Sequence, residues 1–337
     1  MDATTSQSGE VKAAELPEVA ARPGSGGVGA LIRLARPHQW VKGAFVLIGP
    51  LYGRALLEKP LGTVLPAVIG AVLAFGFASS ACYIFNDLND VESDRAHPRK
   101  RLRPLATGAV TPRAGLILAA VLSVLAALSV GLVALGGTGE TPYRAALFTG
   151  LCVGLYAINV VAYSLYLKHK VIADVIGLAM GFVLRVLGGC AAVMVEPSSW
   201  LLNVTLFVAM FLAFGKRLGE RRMMGDQVAA VRGVQAIYTL AILQMLVVVT
   251  GVATLLTYAG YVQAMGERYH YGFNLLWLTM LPATYGLLRC IVMLEKGIFD
   301  DPTELARKDR AFQLAGLVFV LLTAVLMWRF PAGAVGG

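Results

Sequence analysis

The feature that most limits the fold of this chain is a succession of nine long apolar runs. A helix needs about 20 apolar residues to cross the hydrocarbon core of a bilayer, because each residue advances it by about 1.5 Å. Inside a bilayer such a segment must satisfy its own backbone hydrogen bonds, which a helix does. The runs cover roughly residues 40–57, 63–86, 114–136, 144–162, 171–195, 199–215, 234–258, 272–294 and 312–330.

The composition is that of a membrane protein. Hydrophobic residues make up 57% of the 337 residues and charged residues 15%, whereas a soluble domain has about 45–50% and about 25%. We predict an all-α integral membrane protein of about nine transmembrane helices, with residues 31–330 as a single transmembrane domain. Residues 1–30, rich in Ala, Gly, Ser, Glu and Pro, are predicted to be a disordered cytoplasmic tail.

The placement of Lys and Arg predicts an orientation, because cytoplasmic loops carry an excess of these residues. With the nine runs as spans, 22 of the 29 Lys and Arg residues lie in the N-terminal tail and the even-numbered loops. Five lie on the opposite side. We therefore predict a multi-pass protein of the cell inner (plasma) membrane, with its N-terminus in the cytoplasm.

An acidic stretch follows the second apolar run. Residues 86–94 read N-D-L-N-D-V-E-S-D, at the point where a hydrophobic helix meets the predicted cytoplasm. At about 100° per residue, a helix that continues through this stretch carries four oxygen-bearing side chains on one face and Glu92 on the other. The four are Asn86, Asp87, Asp90 and Asp94.

These side chains have the chemistry of a magnesium site. Like charges three and four residues apart repel each other on a helix, and a bound cation removes that cost. Oxygen ligands suit Mg²⁺, which keeps several waters and shares the phosphates of a substrate. We predict that the four bind Mg²⁺, with Asp87, Asp90 and Asp94 as catalytic residues. The alternative is a solvated acidic helix end balanced by nearby arginines, but ionisable groups at a membrane boundary are functional by default.

The next segment, residues 95–113, contains six basic residues and no acidic one. Part of this charge is the ordinary cytoplasmic excess of Lys and Arg. Arginines also bind phosphate oxygens through two parallel hydrogen bonds, so we predict that Arg101 and Arg103 contact a phosphorylated substrate. A metal site beside a phosphate clamp indicates a diphosphate leaving group.

The spacing N-D-x-x-D-x-x-x-D at the end of the second span resembles the UbiA superfamily of intramembrane prenyltransferases. Other segments resemble one branch of it, the decaprenyl-phosphate phosphoribosyltransferases. They are residues 36–42 (R-P-H-Q-W-V-K), 100–105 (K-R-L-R-P-L), Tyr163-Ser164 with 167–169, 215–217 (G-K-R), and Asp309-Arg310 with Gln313. The resemblance covers roughly residues 31–325.

The resemblance implies nine helices around a central cavity with a cytoplasmic cap, in a catalytic domain whose active site faces the cytoplasm. The donor would be 5-phosphoribosyl 1-diphosphate with Mg²⁺, and the acceptor a polyprenyl phosphate such as decaprenyl phosphate. The product would be a precursor of arabinose donors for cell-wall polysaccharide, as in arabinogalactan. The implied substrate-binding residues are Lys42, Tyr163, Lys168, Lys216, Arg217 and Glu220.

The sequence departs from the superfamily after the sixth span, where prenyl-diphosphate enzymes carry a second motif, D-x-x-x-D. Here residues 216–222 read K-R-L-G-E-R-R, with one acid, Glu220, among basic residues. A donor with an additional 5-phosphate needs more positive charge than a prenyl diphosphate does. The alternative interpretation of Lys216 and Glu220 is a solvated i,i+4 pair, and that of Lys42 is a lysine snorkelling at a helix end.

Arg185 lies near the middle of the fifth run, where a charge costs at least ~2.5–3.5 kcal/mol. We predict that it faces the substrate, and the alternative is an ion pair with an acid on another helix. Asp174 shares its face but lies about 16 Å away along the axis, at 1.5 Å per residue, too far to pair.

Two other functions stay open. One is prenyl transfer from a polyprenyl diphosphate to an aromatic or other small acceptor, against which the single Asp-rich motif counts. The other is transport or lipid binding without catalysis, which the clustering of charge at one face does not favour. We expect no nucleic-acid partner. The small-residue spacings Gly70–Ala74 and Gly177–Gly181 suit packing within a chain or in a homo-oligomer.

Overall fold

A computed structural model describes residues 27–96, 100–136, 141–224, 237–297, 305–306 and 308–330. The described residues form α-helices joined by short 3₁₀ segments and one small hairpin. The helices are α1 (Val28–Ala35), α2 (Ala44–Tyr52), α3 (Ala55–Glu58), α4 (Leu61–Asn89), α5 (Val91–Ala96), α6 (Pro112–Ala134), α7 (Thr141–Leu165), α8 (Ala173–Ala192), α9 (Ser199–Met224), α10 (Leu240–Ala264), α11 (Met280–Glu295) and α12 (Arg310–Arg329). The 3₁₀ segments are Pro37–Gly43, Lys100–Leu102, Leu167–His169 and Leu275–Thr279, and the hairpin pairs β1 (His270–Tyr271) with β2 (Phe273–Asn274).

Eight helices in the described part of the chain are long and apolar enough to cross a bilayer. They are α4, α6 to α10, α11 together with the 3₁₀ segment Leu275–Thr279 before it, and α12, and they correspond to the second to ninth predicted runs. The prediction of an all-helical membrane fold is confirmed, with the two-residue strands of the hairpin as a small addition.

The first predicted span is a broken helix rather than a continuous one. It consists of the 3₁₀ segment Pro37–Gly43, then α2 and α3, and it turns at Arg54, whose φ is 58°. A rise of about 2.0 Å per 3₁₀ residue and about 1.5 Å per α-helical residue still gives the 3₁₀ segment and α2 a length of roughly 28 Å. This segment therefore matches the ~30 Å hydrocarbon core although no single helix in it is long enough.

Glycines on α8 allow α2 and α4 to approach it closely. A Cβ atom on Gly189 would lie 1.9 Å from the carbonyl oxygen of Val46, and one on Gly188 would lie 2.3 Å from Phe75. The predicted small-residue spacings are used in the same way. Gly70 packs on the backbone of Ser129, and Gly177 lies against Leu167. Small residues thus bring the helices of one chain together.

The two largest apolar clusters of the described core lie between α2, α3, α4, α6, α7 and α8, and between α8, α9, α10 and α11. An apolar cavity of about 430 Å³ lies between α2, α8, α9, α10, α11 and α12. The cavity reaches the end of the bundle that carries the α2–α3 turn and the start of α9, so we call this the α3 end.

The opposite end, here called the α5 end, is capped by short elements. The helix α1, α5 and residues 100–111 pack over the last turns of α4, with Leu34, Ile84 and Leu105 buried between them. Nearby, Arg289 of α11 donates to both oxygens of Asp309, the N-cap of α12, at 2.7 and 2.8 Å. These bonds lower the pKa of Asp309 to about 2 and keep its carboxylate charged.

Candidate active site

The acidic stretch lies at the α5 end, where α4 passes into α5. The helix α4 ends at Asn89, and Asp90 leaves the helical conformation with φ −100° and ψ 9°. Helical hydrogen bonds nevertheless bracket this break, because the Asp90 N–H donates to Asn86 O at 3.0 Å and the Asp94 N–H donates to Asp90 O at 2.8 Å. The break is therefore local, and the acidic side chains stay close to one another.

Asp87 is buried between two arginines, with 1% of its surface exposed. Arg36 Nη2 donates to Asp87 Oδ1 at 2.7 Å and to Oδ2 at 2.6 Å, and Arg103 Nη1 donates to Oδ1 at 3.0 Å. Arg36 ends α1 with a positive φ of 53°, and its guanidinium lies 5.4 Å from the Tyr83 ring centroid. Charge-assisted bonds of this kind offset the cost of burying the carboxylate.

Asp94 shares Arg103 with Asp87. Arg103 Nη1 donates to Asp94 Oδ2 at 2.6 Å, and Lys100 Nζ lies 3.8 Å from Oδ1. Asp94 is 1% exposed, and its Oδ1 is buried without a hydrogen-bond partner. A buried acceptor in this state calls for a cation or a donor group.

Asp90 is more accessible and has different partners. Lys168 Nζ donates to Asp90 Oδ1 at 2.9 Å, and Asn86 Nδ2 donates to Oδ2 at 3.1 Å. Ser164 Oγ in turn donates to Asn86 Oδ1 at 2.9 Å. The end of α7 and the 3₁₀ turn after it therefore hold Asn86 and Asp90.

The donor set fits Mg²⁺ in its chemistry. Carboxylate and amide oxygens are the ligands this ion takes, and Asp94 Oδ1 is a buried oxygen that accepts no hydrogen bond, with the Lys100 ammonium 3.8 Å away. Within the part of the chain that is described, no three carboxylate, imidazole or thiol groups converge as metal ligands. The carboxylates are arranged around Arg36, Arg103 and Lys168 instead. The predicted side chains fall into two neighbouring sets on this stretch, since Asp87 and Asp94 share Arg103 while Asn86 bonds to Asp90.

The other predicted residues near this end take varied positions. Lys42 is half-buried, with Nζ 3.5 Å from the Tyr83 hydroxyl. Tyr163 is half-buried at the end of α7, and its ring would lie 3.5 Å from a Cβ atom added to Gly177. Arg101 is exposed, whereas Arg103 points into the network.

Arg185 is buried and 5% exposed, but its partners are not acids. Nη1 donates to Gly181 O at 2.9 Å, Nη2 donates to the Tyr156 hydroxyl at 2.8 Å, and the guanidinium lies 4.4 Å from the Tyr156 ring centroid. An aromatic ring and a carbonyl thus hold this charge inside the bundle. Among the described residues, no acid pairs with Arg185.

Arg217 is buried in a second polar cluster. It forms an ion pair with Asp174, which also accepts from the Tyr238 hydroxyl at 3.0 Å. The Ile172 N–H donates to that hydroxyl at 2.7 Å, and Ile172 has an unusual φ of 67°. Arg217 therefore joins α8, α9 and the start of α10. Lys216 and Glu220, on the same helix, are exposed and half-buried respectively.

Sequence reasoning did not include four residues that the structure places at the site: Arg36, Tyr83, Lys100 and Ser164. Arg36, Lys100 and Ser164 belong to segments that carried the family resemblance, which was the available signal. Tyr83 lies one helical turn before Asp87 on α4, where it contacts both Arg36 and Lys42.

The model of the UbiA prenyltransferase family matches residues 45–296, three quarters of the chain. The chain belongs to the UbiA prenyltransferase family. It is 30% identical over 305 residues to the decaprenyl-phosphate phosphoribosyltransferase of Mycobacterium tuberculosis, covering 90% of this chain and 96% of that protein. It is 31% identical to the decaprenyl-phosphate phosphoribosyltransferase of Mycolicibacterium smegmatis, covering 87% and 91%.

The UbiA fold is also seen in a solved structure, that of a UbiA homologue from Archaeoglobus fulgidus bound to DMAPP and Mg²⁺. Its TM-score with this chain is 0.62 at 17% sequence identity, over 89% of this chain and 99% of that one. At this identity the likeness concerns the fold. The UbiA resemblance expected from the acidic motif is therefore confirmed by sequence and by architecture.

Proposed function

We propose that this UbiA family member transfers the 5-phosphoribosyl group of 5-phosphoribosyl 1-diphosphate to a polyprenyl phosphate, with decaprenyl phosphate as the expected acceptor. The bond from the anomeric carbon to the diphosphate oxygen breaks, and a bond from that carbon to an oxygen of the lipid phosphate forms. Diphosphate leaves. The phosphoribosyl lipid would serve as a precursor of the arabinose donors used for cell-wall polysaccharide.

The observation that carries this proposal is the network at the α5 end. Three carboxylates and four basic side chains lie together where α4 leaves the bilayer-spanning part of the fold. Such a mixture suits a substrate that brings both metal-bound and free phosphate oxygens. The decaprenyl-phosphate phosphoribosyltransferase relatives, which align with nearly all of the chain, support the choice of donor and acceptor.

Asp87, Asp90 and Asp94, with Asn86, are the residues that would hold Mg²⁺. When bound, Mg²⁺ supplies positive charge next to the diphosphate and lowers the cost of its departure. The basic side chains do the same from the protein. Arg36, Arg103 and Lys168 lie within hydrogen-bond distance of the carboxylates and can turn their remaining N–H groups to phosphate oxygens.

The acceptor needs no strong general base, because a lipid phosphate is already anionic at neutral pH. Catalysis then depends on positioning the two substrates and on stabilising the charge that develops on the leaving diphosphate. The membrane fold has a direct use in this scheme. The polyprenyl chain stays among apolar helices while its phosphate reaches the α5 end, which we place at the cytoplasmic face from the distribution of Lys and Arg.

A transfer assay with purified protein tests the proposal. Labelled 5-phosphoribosyl 1-diphosphate is supplied with polyprenyl phosphates of several lengths, with and without EDTA, and the lipid extract is counted. We expect label in the lipid phase that depends on the polyprenyl phosphate and is lost when EDTA removes divalent cations. The proposed reaction is refuted if no polyprenyl phosphate is labelled in a preparation whose thermal unfolding curve shows that the protein is folded.

A second donor gives the decisive comparison within the family. The A. fulgidus homologue binds DMAPP and Mg²⁺, so a prenyl diphosphate is the natural competitor. The same assay is run with labelled geranylgeranyl diphosphate and an aromatic acceptor. Incorporation from the prenyl diphosphate, together with none from the phosphoribosyl donor, would favour prenyl transfer to a small acceptor instead.

A further inference from the structure

The helix α1 is too short to span a bilayer, yet it carries more apolar surface than the rest of the described chain covers. At about 100° per residue, its large apolar side chains form one continuous arc, in the order Ala30, Leu34, Leu31, Val28 and Ile32. Ala30 and Leu34 are buried against the ends of α4 and α6. At the other end of the arc, Val28 is 72% exposed and Ile32 is 54% exposed.

The remaining side of α1 is narrow and polar. It consists of Gly29 and Arg33, which are both exposed, and Arg33 lies about 100° around the helix from Ile32. A helix whose outer side met only water would carry polar residues at the positions of Val28 and Ile32. A wide apolar arc beside a narrow basic strip is instead typical of a helix that lies in the plane of a membrane surface.

The neighbours of α1 place it at the level of that surface. Its buried side shares an apolar cluster with Ile84, in the last two turns of α4, and with Leu118, in the second turn of α6. Both helices are long and apolar enough to cross a bilayer, so these turns lie near the boundary between hydrocarbon and headgroups. In the same turn of α6, Leu116 and Ile117 are more than half exposed. The exposed apolar side of α1 therefore lies at the depth of a lipid-facing surface.

We propose that α1 docks on the bilayer as an interfacial helix, with Val28 and Ile32 among the lipid chains and Arg33 at the headgroups. The partner is the phospholipid leaflet at the α5 end. Two apolar side chains on a free peptide would bind a membrane weakly, but α1 is joined to the 3₁₀ segment and α2, which hold it beside the bilayer. The contact is thus intramolecular in its cost, as for the second site of a bivalent ligand.

Docking of α1 bears on the acidic network because Arg36 follows the helix directly. Arg36 is the C-cap of α1, and its backbone N–H donates to Ile32 O. Its Nη2 donates to both oxygens of Asp87, at 2.7 and 2.6 Å. The bilayer is therefore one of the contacts that keep Arg36 against Asp87. The docking itself does not depend on which substrates the network binds.

Nitroxide labels on single cysteines test the proposal, with the full chain in nanodiscs of phosphatidylcholine and phosphatidylglycerol. Val28→Cys, Ile32→Cys and Arg33→Cys are compared with Leu116→Cys, on the lipid-facing side of α6, and with Ser93→Cys, at the exposed side of α5. Collisions of each label are measured with oxygen, which concentrates in the bilayer, and with a nickel chelate, which stays in water. The four native cysteines are buried or half-buried, and the unmodified protein gives the labelling background.

We expect collisions with oxygen to exceed collisions with the nickel chelate at Val28 and Ile32, as at Leu116. The order should be reversed at Arg33, as at Ser93. The contrast between positions 32 and 33 is decisive, because adjacent residues share the mobility of the helix but point about 100° apart.

Two results would overturn the proposal. If the nickel chelate reaches Val28 and Ile32 as often as it reaches Arg33, this side of α1 faces water. If neither reagent reaches them, another segment or a second copy of the chain covers them instead. A phospholipid with a photoreactive diazirine in its acyl chain checks the unmodified protein. It should form adducts on α1 as well as on α6, and adducts on α6 alone would contradict the docking.

Discussion

Asp87 and Asp90 lie one helical turn apart but differ in their surroundings. Asp87 is 1% exposed and contacts two arginines, whereas the side chain of Asp90 is 20% exposed and contacts one lysine. Removing Asp87 would leave Arg36 and Arg103 without their shared carboxylate, so a loss of activity would be mixed with a loss of stability. Asp90 is therefore the better residue for testing the role of the acidic network.

We predict that Asp90→Asn lowers the rate of phosphoribosyl transfer by about 10²–10³-fold, the usual effect of removing one group that stabilises developing charge. The melting temperature in detergent should change little, because Asn keeps the shape of the side chain and its neighbour Lys168 is partly exposed. The measurement is the initial rate at saturating donor and acceptor, with thermal unfolding of the same preparation.

Glu92→Gln is the matched control for this test. Glu92 is two residues away, is exposed and falls on the predicted far face of the helix. Its substitution should leave the rate within about twofold, since exposed surface changes are usually worth less than ~0.5 kcal/mol. A similar loss in both variants would mean that the acidic stretch acts through its total charge rather than through one face.

Arg36 gives a second test at the scale of single residues. Its Nη2 donates to both oxygens of Asp87 while its guanidinium lies over the Tyr83 ring. Lys keeps the charge but lacks the planar group that makes both contacts. We predict that Arg36→Lys retains part of the activity, and that Arg36→Gln loses most of it with a destabilisation of about 1–3 kcal/mol. Arg103 still contacts Asp87 in this variant, so the loss of stability is smaller than for a buried ion pair with no other partner.

The measurements for Arg36 are the transfer rate and unfolding in detergent. Arg33→Gln, an exposed arginine on the same helix, should behave like the unmodified protein. Full activity of Arg36→Gln would show that Asp87 does not need this partner. Arg36 could not be paired with Asp87 from the sequence, because 51 residues separate them and only the packing of α1 on the end of α4 brings them together.

At the scale of helices, the contact between α2 and α8 leaves no room for a side chain. A Cβ on Gly189 would meet the carbonyl oxygen of Val46 at 1.9 Å, and a backbone atom cannot rotate away. We predict that Gly189→Ala moves α2 and destabilises the protein by about 1–3 kcal/mol, the usual cost of overpacking. The check is the midpoint of thermal or denaturant unfolding in detergent.

Gly154→Ala is the control for that change, since nothing lies within 4 Å of a Cβ at this position. It should be neutral or stabilising by about 0.5–1 kcal/mol, because Ala favours the helix over Gly. Equal destabilisation in both variants would mean that glycine at these positions matters for reasons other than close packing. The α2–α8 contact would then need another account.

The α2 region also shows where helix prediction from the sequence reaches its limit. The hydropathy of residues 40–57 predicts a span, and Lys42, Pro50 and Arg54 indicate that it is interrupted. The sequence does not show that a 3₁₀ segment makes up the missing length. The 3₁₀ segment is held in place by Trp40, which packs on Gly76 and donates to Ser80 at 2.9 Å, a contact across 40 residues.

Arg217 illustrates the same limit for charged residues. The family resemblance implied that Arg217 contacts a substrate, and in the structure its guanidinium pairs with Asp174 of α8. Helix geometry correctly excluded a pair between Asp174 and Arg185. It could not supply the partner on α9, 43 residues away, because neighbouring helices are chosen by tertiary packing.

For the molecule as a whole, the part that could be predicted is the part that depends on local sequence. Eight helices are long enough to cross a bilayer because each contains its own apolar run, independent of its neighbours. The acidic side chains were also a local prediction, since all of them lie between residues 86 and 94. The groups that neutralise them come from α1, from residues 100–103 and from the turn after α7, and only the folded chain brings these segments together.

Orientation in the bilayer is a property of the whole chain, and it bears directly on the proposed reaction. The excess of Lys and Arg predicts that the α5 end faces the cytoplasm. Single cysteines can report this, because Cys82, Cys190 and Cys290 are buried and Cys152 is half-buried. Ser93→Cys places an exposed thiol at the α5 end, and Arg144→Cys places one near the opposite end of α7.

We predict that a membrane-impermeant maleimide labels Arg144→Cys in intact spheroplasts and labels Ser93→Cys after the membrane is permeabilised. The unmodified protein should stay unlabelled in both states. Labelling of Ser93→Cys in intact spheroplasts would put the carboxylates outside. A sugar diphosphate carries several charges and cannot cross the bilayer unaided, so that result would separate the acidic network from a cytoplasmic donor and remove the physical basis of the proposed transfer.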